Sequence, residues 1–74
     1  MLNTTPTPTE ILKQYAESER FCREAERKRI TTLSRSQAWQ LEKQGRFPKR
    51  RKIGNTNVWL LSDLLYWIAQ QEEV

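Results

Sequence analysis

The sequence has no histidine, a single cysteine, two glycines and no long apolar run. Cys22 has no second cysteine with which to form an internal disulfide, and the lack of histidine argues against a structural zinc site. There is also no glycine-rich phosphate loop and no close acidic cluster, which argues against an enzyme. No run approaches the roughly 18 apolar residues of a membrane span, and no signal peptide is visible. We therefore expect a cytoplasmic, non-catalytic protein without metal or cofactor.

The 74 residues suffice for one small domain, in which folding buries only about 60–65% of the unfolded surface. The net charge of +4 is unevenly distributed along the chain. Residues 1–19 carry a net charge of −2, whereas residues 20–71 carry twelve Lys and Arg against four acidic residues, a net of +8. Such a concentration of positive charge indicates a polyanionic partner, with nucleic acid favoured over a membrane surface.

Residues 33–52 have the marks of a short helix with defined ends. Ser34 stands where an N-cap belongs, and Gly45 stands where a helix ends in the left-handed region. Pro48 and the residue before it cannot continue the helix. At about 100° per residue, Ala38 and Leu41 point to one side. The opposite side is polar and comprises Ser36, Gln37, Gln40, Lys43 and Gln44.

Four consecutive cations at residues 49–52 follow this helix. An uncharged amide and hydroxyl face next to clustered cations suits a protein that reads base edges while it holds phosphates. Composition alone leaves a simpler alternative open, namely a solvated helix face beside a basic loop.

The N-terminal part is rich in Thr and Pro, and we expect residues 1–8 to be disordered. Thr9 is the predicted N-cap of a short helix over residues 9–18, with one apolar edge formed by Ile11, Leu12 and Tyr15. The sequence leaves open whether this edge packs on the domain or meets a partner. We accordingly divide the chain into a flexible N-terminal segment, residues 1–19, and a folded domain, residues 20–74.

Residues 20–23 are predicted to be extended, with Phe21 in the core and Cys22 as a small buried side chain. A helix over about residues 24–31 follows. Its only clear apolar positions are Ala25 and Ile30, so its buried face is weak.

A β-hairpin is predicted after the cations, with a four-residue turn at residues 54–57. Ile53 and Trp59 are expected to face the core. Ser62 is the predicted N-cap of a last helix. That helix has an amphipathic stripe with Trp67 on its flank, and the stripe comprises Leu61, Leu64, Leu65 and Ile68.

The order of motifs resembles the AlpA family of small phage and mobile-element regulators, together with related excisionases that share a MerR-like winged-helix fold. The resemblance covers roughly residues 20–70. Its elements are RFCRE at residues 20–24, ITTLSRS at 30–36, GRFP at 45–48, KIG at 52–54, Trp59, SD at 62–63 and Trp67.

The resemblance implies a mainly α winged helix-turn-helix with a small β-hairpin. It also implies that the recognition helix enters the major groove of DNA while the wing lies along the backbone or in the adjacent minor groove. The matching positions of the recognition helix and the residues beside it are Arg35, Ser36, Gln37, Gln40, Lys43 and Arg46. Those of the wing are Lys49, Arg50, Arg51, Lys52, Asn55 and Thr56.

Three residues depart from the family pattern. Thr32 stands where the family usually has Gly, so the turn must accept a β-branched residue. Arg27 stands where an apolar residue of the first helix is usual, and Arg51 where the wing strand is often apolar. These changes add positive charge at some expense to the core.

The resemblance leads us to expect sequence-specific binding of double-stranded DNA by an excisionase that also regulates transcription for a prophage or integrative element. Such a protein works in the bacterial cytoplasm, on the nucleoid, with a tyrosine integrase as partner. Because a small monomer binds one short site weakly, we also expect self-association on repeated DNA sites. The alternative is a protein-interaction adaptor, such as an antirepressor or a DNA-packaging subunit, which apolar surface on residues 9–19 would support.

Overall fold

The computed structural model describes residues 6–71 of the chain. Within them, four helices surround a three-stranded antiparallel sheet of order β1-β3-β2. In chain order the elements are α1 (Pro8–Gln14), β1 (Phe21–Cys22), α2 (Glu24–Thr31), α3 (Arg35–Lys43), β2 (Arg51–Ile53), β3 (Thr56–Leu60) and α4 (Leu61–Ala69).

The N-cap of the first helix lies two residues before the predicted Thr9, and the helix ends at Gln14 rather than near residue 18. The true N-cap is Thr7, whose hydroxyl accepts from the backbone N–H of Glu10 while the Glu10 carboxylate accepts from the backbone N–H of Thr7. Pro8 occupies the first helical position, where its missing N–H has no helical acceptor to lose. Of the stretch expected to be disordered, residues 1–5 lie outside the described residues, and Pro8 is helical.

The apolar edge of α1 packs against α4. Ile11 and Leu12 are buried and belong to the same hydrophobic cluster as Leu64 of α4. Tyr15, the third residue of that edge, stays partly exposed. The structure thus answers the question that the sequence left open, since this edge is used inside the molecule.

The hairpin turn has two residues rather than the predicted four. Ile53 pairs with Thr56, so Thr56 and Asn57 belong to β3 and the turn is Gly54-Asn55. Gly54 has φ +61°, as the first turn position of a type II′ hairpin requires. The short extended segment at Phe21–Cys22 adds a third strand by pairing with the other edge of β3.

The core forms where α4, β3 and the loop after α3 meet. The predicted stripe of α4 is confirmed, because Leu61, Leu64 and Leu65 are buried and Ile68 packs beside them. Trp59 and Cys22 are also buried, as predicted.

Two other core predictions were wrong. Phe21 is 47% exposed and Ile53 is 53% exposed. Because successive side chains of a strand point to opposite faces, burial of Cys22 turns Phe21 outward. Ile53 lies at the end of the hairpin, where it adjoins the exposed turn.

The start of α4 is capped from a distant part of the chain. Ser62 is not the N-cap as predicted; that position is Leu60, which offers no side-chain acceptor. Instead the Glu19 carboxylate accepts from the Ser62 backbone N–H at 3.1 Å and from the Ser62 hydroxyl at 2.7 Å. The residue that satisfies the helix end therefore lies 43 positions earlier.

Replacing Glu19 with Ala should lower the free energy of unfolding by about 1–2 kcal/mol, because an N-terminal donor of α4 loses its acceptor. In a domain of this size, 1 kcal/mol corresponds to a fall in Tm of roughly 4–8 °C. Glu17→Ala is the matched control, since the Glu17 side chain is exposed and makes no hydrogen bond within residues 6–71. Equal melting temperatures for the two variants would contradict this role of Glu19.

Candidate nucleic-acid interface

The start of α3 is fixed by a reciprocal capping box. The Ser34 hydroxyl accepts from the Gln37 backbone N–H at 3.2 Å, and the Gln37 side-chain oxygen accepts from the Ser34 backbone N–H at 3.0 Å. The predicted N-cap is therefore confirmed. The second bond also ties the Gln37 side-chain oxygen to the helix end, so that this oxygen keeps one free lone pair beside the NH₂ group.

The end of α3 is a Schellman motif. Gly45 has φ +73°, the Arg46 backbone N–H donates to the Leu41 carbonyl at 2.8 Å, and the Gly45 N–H donates to the Glu42 carbonyl at 3.0 Å. The predicted helix stop at Gly45 is confirmed. It turns the chain so that Phe47 is buried in the core.

Two side chains from other elements hold the backbone on either side of α3. The Arg27 guanidinium donates to the Leu33 carbonyl at 2.7 Å, and the Trp67 indole N–H donates to the Arg46 carbonyl at 2.9 Å. Trp67 also meets Phe47 edge-to-face, with ring centroids 5.1 Å apart. The polar helix is thereby positioned from α2 at its start and from α4 at its end.

Arg27 is fully buried, with 0% exposure. Its guanidinium pairs with the Glu24 carboxylate, donates to the Thr31 hydroxyl at 3.2 Å, and lies over the Trp59 ring, 5.6 Å from the centroid. The residues of α2 that are buried are thus Arg27 and Thr31.

Of the two apolar residues predicted to form the buried face of α2, only one contributes to the core. Ala25 is exposed, and Ile30 is partly buried against the core. A paired arginine supplies the contact that an apolar side chain usually makes.

The turn between α2 and α3 contains Thr32 in the left-handed conformation, with φ +64°. Such a conformation is strained for a β-branched residue, by about 1–3 kcal/mol. The Thr32 N–H closes α2 by donating to the Lys28 carbonyl at 2.7 Å. The turn therefore keeps the geometry that glycine would adopt, as the departure from the family pattern required.

The outer side of α3 borders two surface clefts. The first, of about 450 Å³, brings together several of the predicted base-reading residues, and its polar lining is Ser36, Gln37, Gln40, Gln44 and Arg46. The second, of about 410 Å³, lies between α3 and the hairpin, and its polar and aromatic lining includes Arg35, Ser36, Trp39, Glu42, Arg50 and Asn57. Ser36 borders both clefts.

Two of the predicted cations have partners within the domain. The Lys43 ammonium lies over the Trp39 ring, 4.4 Å from the centroid, and Trp39 is half-buried, at 47% exposure. The Arg50 guanidinium donates to the Glu42 carboxylate at 3.2 Å.

The other predicted wing residues are spread along the hairpin and the segment before it. Those that are exposed are Lys49, Arg51, Lys52 and Asn55, while Thr56 is partly buried. Sequence reasoning missed Asn57 and Glu42 as lining residues of the second cleft. For Asn57 the signal was the hairpin register, which places it opposite Lys52.

Burial raises the pKa of two titratable side chains. Desolvation raises the pKa of the Asp63 carboxyl, and the charge of Arg51 partly opposes this. Burial also raises the pKa of the Cys22 thiol, as befits a packed rather than a reactive cysteine. Within residues 6–71 no group of His, Cys, Asp or Glu side chains could hold a metal ion, and no helix there has the length and apolar character needed to cross a membrane.

Two helices joined by a tight turn, with the second beside a β-hairpin and a closing helix, define a winged helix-turn-helix. Residues 20–72 match the family model described as the prophage CP4-57 regulatory protein AlpA. The chain belongs to this AlpA family of prophage regulatory proteins, as its motifs predicted. No curated protein and no solved structure shows a significant match. Helix α1 precedes the matched range, although it shares the core.

Replacing Arg27 with Ala should destabilise the fold by about 2–5 kcal/mol, because it removes a fully buried side chain and leaves the Thr31 hydroxyl and the Leu33 carbonyl without their donor. The measurement is urea-induced unfolding, monitored by tryptophan fluorescence. Arg29→Ala is the matched control, since Arg29 lies on the same helix but is exposed. A loss no larger than that of Arg29→Ala would contradict the structural role of Arg27.

Proposed function

We propose that the protein binds double-stranded DNA sequence-specifically and without catalysis. In this arrangement α3 enters the major groove, and the hairpin lies along the backbone or in the adjacent minor groove. The observation that carries the proposal is the exposed polar face of α3, whose flanking backbone is held by hydrogen bonds from Arg27 of α2 and Trp67 of α4. A pre-positioned polar helix flanked by positive charge meets the two requirements of groove recognition, namely base contact and phosphate contact.

Gln40 is the strongest candidate for base contact. It is exposed in the middle of α3, and a glutamine can contact adenine through both its oxygen and its nitrogen. Gln37 is less free to turn toward a base, because its side-chain oxygen already accepts the Ser34 N–H. Ser36, between the two clefts, is the remaining uncharged candidate.

Phosphate contact falls to the surrounding cations and the hairpin tip. The exposed residues proposed for it are Arg35, Lys43, Arg46, Lys49, Arg51, Lys52 and Asn55, with the partly buried Thr56 beside them. Phosphate contacts fix orientation and affinity but carry no sequence information. Arg50 differs from these residues because its guanidinium already pairs with Glu42.

Within the class of prophage regulators, we propose the role of a recombination directionality factor, or excisionase, that also regulates transcription. Membership in the AlpA family supports action on an integrated element in the bacterial cytoplasm. A single winged helix reads a short site, so useful affinity requires repeated sites and contacts between neighbouring copies. A tyrosine integrase is the proposed protein partner.

The alternative role, a protein-interaction adaptor, loses much of its support. That role drew on apolar surface in residues 9–19. Ile11 and Leu12 are buried against α4, which leaves Tyr15 as the exposed part of the edge.

A gel-shift titration at two salt concentrations tests the proposal. The probes are DNA from beside the protein's own gene, the neighbouring attachment region, and a scrambled duplex. We expect laddered shifts that prefer the first two probes and weaken with salt. In a separate excision assay with the neighbouring integrase, we expect the protein to stimulate excision. No preference over the scrambled duplex would overturn sequence-specific binding, and site preference without stimulation would leave a transcriptional regulator.

Gln40→Ala should weaken binding to the preferred site by about 1–3 kcal/mol while hardly affecting binding to scrambled DNA, because a bidentate base contact is lost. Gln14→Ala on α1 is the matched control. Competition gel shifts with both duplexes measure the two affinities. Equal losses on the two DNAs would exclude a base-reading role for Gln40.

The double variant Lys49→Ala, Lys52→Ala should weaken binding to every sequence. Each lost phosphate contact reduces the slope of log affinity against log salt by about 0.9. Lys13→Ala, Lys28→Ala removes the same charge from α1 and α2 and serves as the control. If both double variants gave the same slope, the basic segment before and within β2 would not touch DNA.

A further inference from the structure

Glu42 is the only acidic residue of α3, and it lies in the last turn of the helix proposed to enter DNA. Its side chain is largely buried, with 18% exposure, and its carboxylate accepts from the Arg50 guanidinium at 3.2 Å. Both residues line the cleft of about 410 Å³ between α3 and the hairpin. A carboxylate so placed opposes phosphate binding in two ways. It repels phosphates directly, and it forms an ion pair with Arg50, which could otherwise bind a phosphate.

We propose that Glu42 determines DNA specificity by withholding Arg50 from the phosphate backbone. This inference rests on the proposed function, in which this face binds DNA. Arg50 thereby acts as a strut between the recognition helix and the base of the wing rather than as another free cation. The sequence alone predicted Arg50 as a DNA contact because it stands among three other cations at residues 49–52.

The ion pair between Glu42 and Arg50 limits non-specific DNA binding, which carries no sequence information. Non-specific affinity comes almost entirely from cations that neutralise phosphates, so each withheld cation lowers it. At a preferred site, base contacts fix the depth and angle of α3, and the wing can reach only the phosphates that this position allows. On random DNA the protein is free to settle wherever it gains most phosphate contact. A released Arg50 therefore adds more to random binding than to specific binding.

The geometry of the pair supports this distinction. Arg50 is partly exposed, with its side chain 37% accessible, whereas Glu42 is mostly enclosed. The carboxylate is thus the enclosed partner on the helix, and the guanidinium is the more solvent-exposed partner. Neutralising the carboxylate should release the cation without disturbing the helix, whose ends are held independently by the Ser34 cap and the Gly45 motif.

The test is Glu42→Gln, which keeps the size and one acceptor oxygen of the side chain but removes its charge. We expect affinity for scrambled duplex to rise about three- to tenfold and the log–log salt slope to steepen by about 0.9, as one more phosphate contact implies. The ratio of site affinity to scrambled affinity should fall. In Glu42→Gln, Arg50→Gln, the slope should return to the wild-type value, and the affinity gain should shrink to the part that comes from lost repulsion.

Glu26→Gln is the matched control for charge. Glu26 pairs with Arg20 at 2.5 Å, outside the cleft between α3 and the hairpin, and its neutralisation should leave the salt slope unchanged. Thermal unfolding of each variant checks that the fold is intact.

Three outcomes would overturn the inference. If Glu42→Gln kept the wild-type slope and ratio while the wild type still preferred its site, this inference alone would fail. If the whole gain and the steeper slope persisted in the double variant, they would come from lost repulsion and not from Arg50. If the wild type bound no duplex at all, the proposed function would fail with it.

Discussion

The structure depends on two hydrogen bonds that reach the backbone carbonyls on either side of α3. One comes from Arg27 in α2 to Leu33, and the other comes from Trp67 in α4 to Arg46. The helix itself contributes little to the core, since Ala38 is its one fully buried residue. A polar helix with so small an apolar face cannot be oriented by burial alone, because the hydrophobic effect is not directional. The two hydrogen bonds at its ends therefore fix the orientation that packing alone does not determine.

The buried arginine shows how a thin core is compensated. An apolar residue at position 27 would pack against Trp59 without any need for a partner, and well-packed apolar replacements of buried ion pairs are often as stable as the pair. Such a residue could not donate to the Leu33 carbonyl. The guanidinium serves α2 through Glu24 and Thr31 while it fixes the chain entering α3. The departure from the family pattern therefore exchanges apolar burial for orientation of α3.

Local signals predicted the parts of the fold that local chemistry determines. Ser34 and Gly45 delimit α3 as predicted, because caps act within a few residues of the helix ends. The amphipathic stripe of α4 was likewise visible from its spacing. Prediction failed where a distant residue decides: Glu19 caps α4 in place of Ser62, and no sequence periodicity connects the two positions.

The charges of the candidate site could likewise not be assigned from the sequence, because distant residues decide which of them are paired. Sequence places twelve cations within residues 20–71, but three of them, Arg20, Arg27 and Arg50, form ion pairs there with acidic residues. These pairs consume three of the four acidic side chains of that range, and the remaining one, Asp63, has a pKa raised by burial. The acidic residues thus neutralise cations at defined positions instead of lowering the charge evenly. Which cations stay unpaired is consequently set by tertiary contacts, and a count of charges along the chain cannot reveal it.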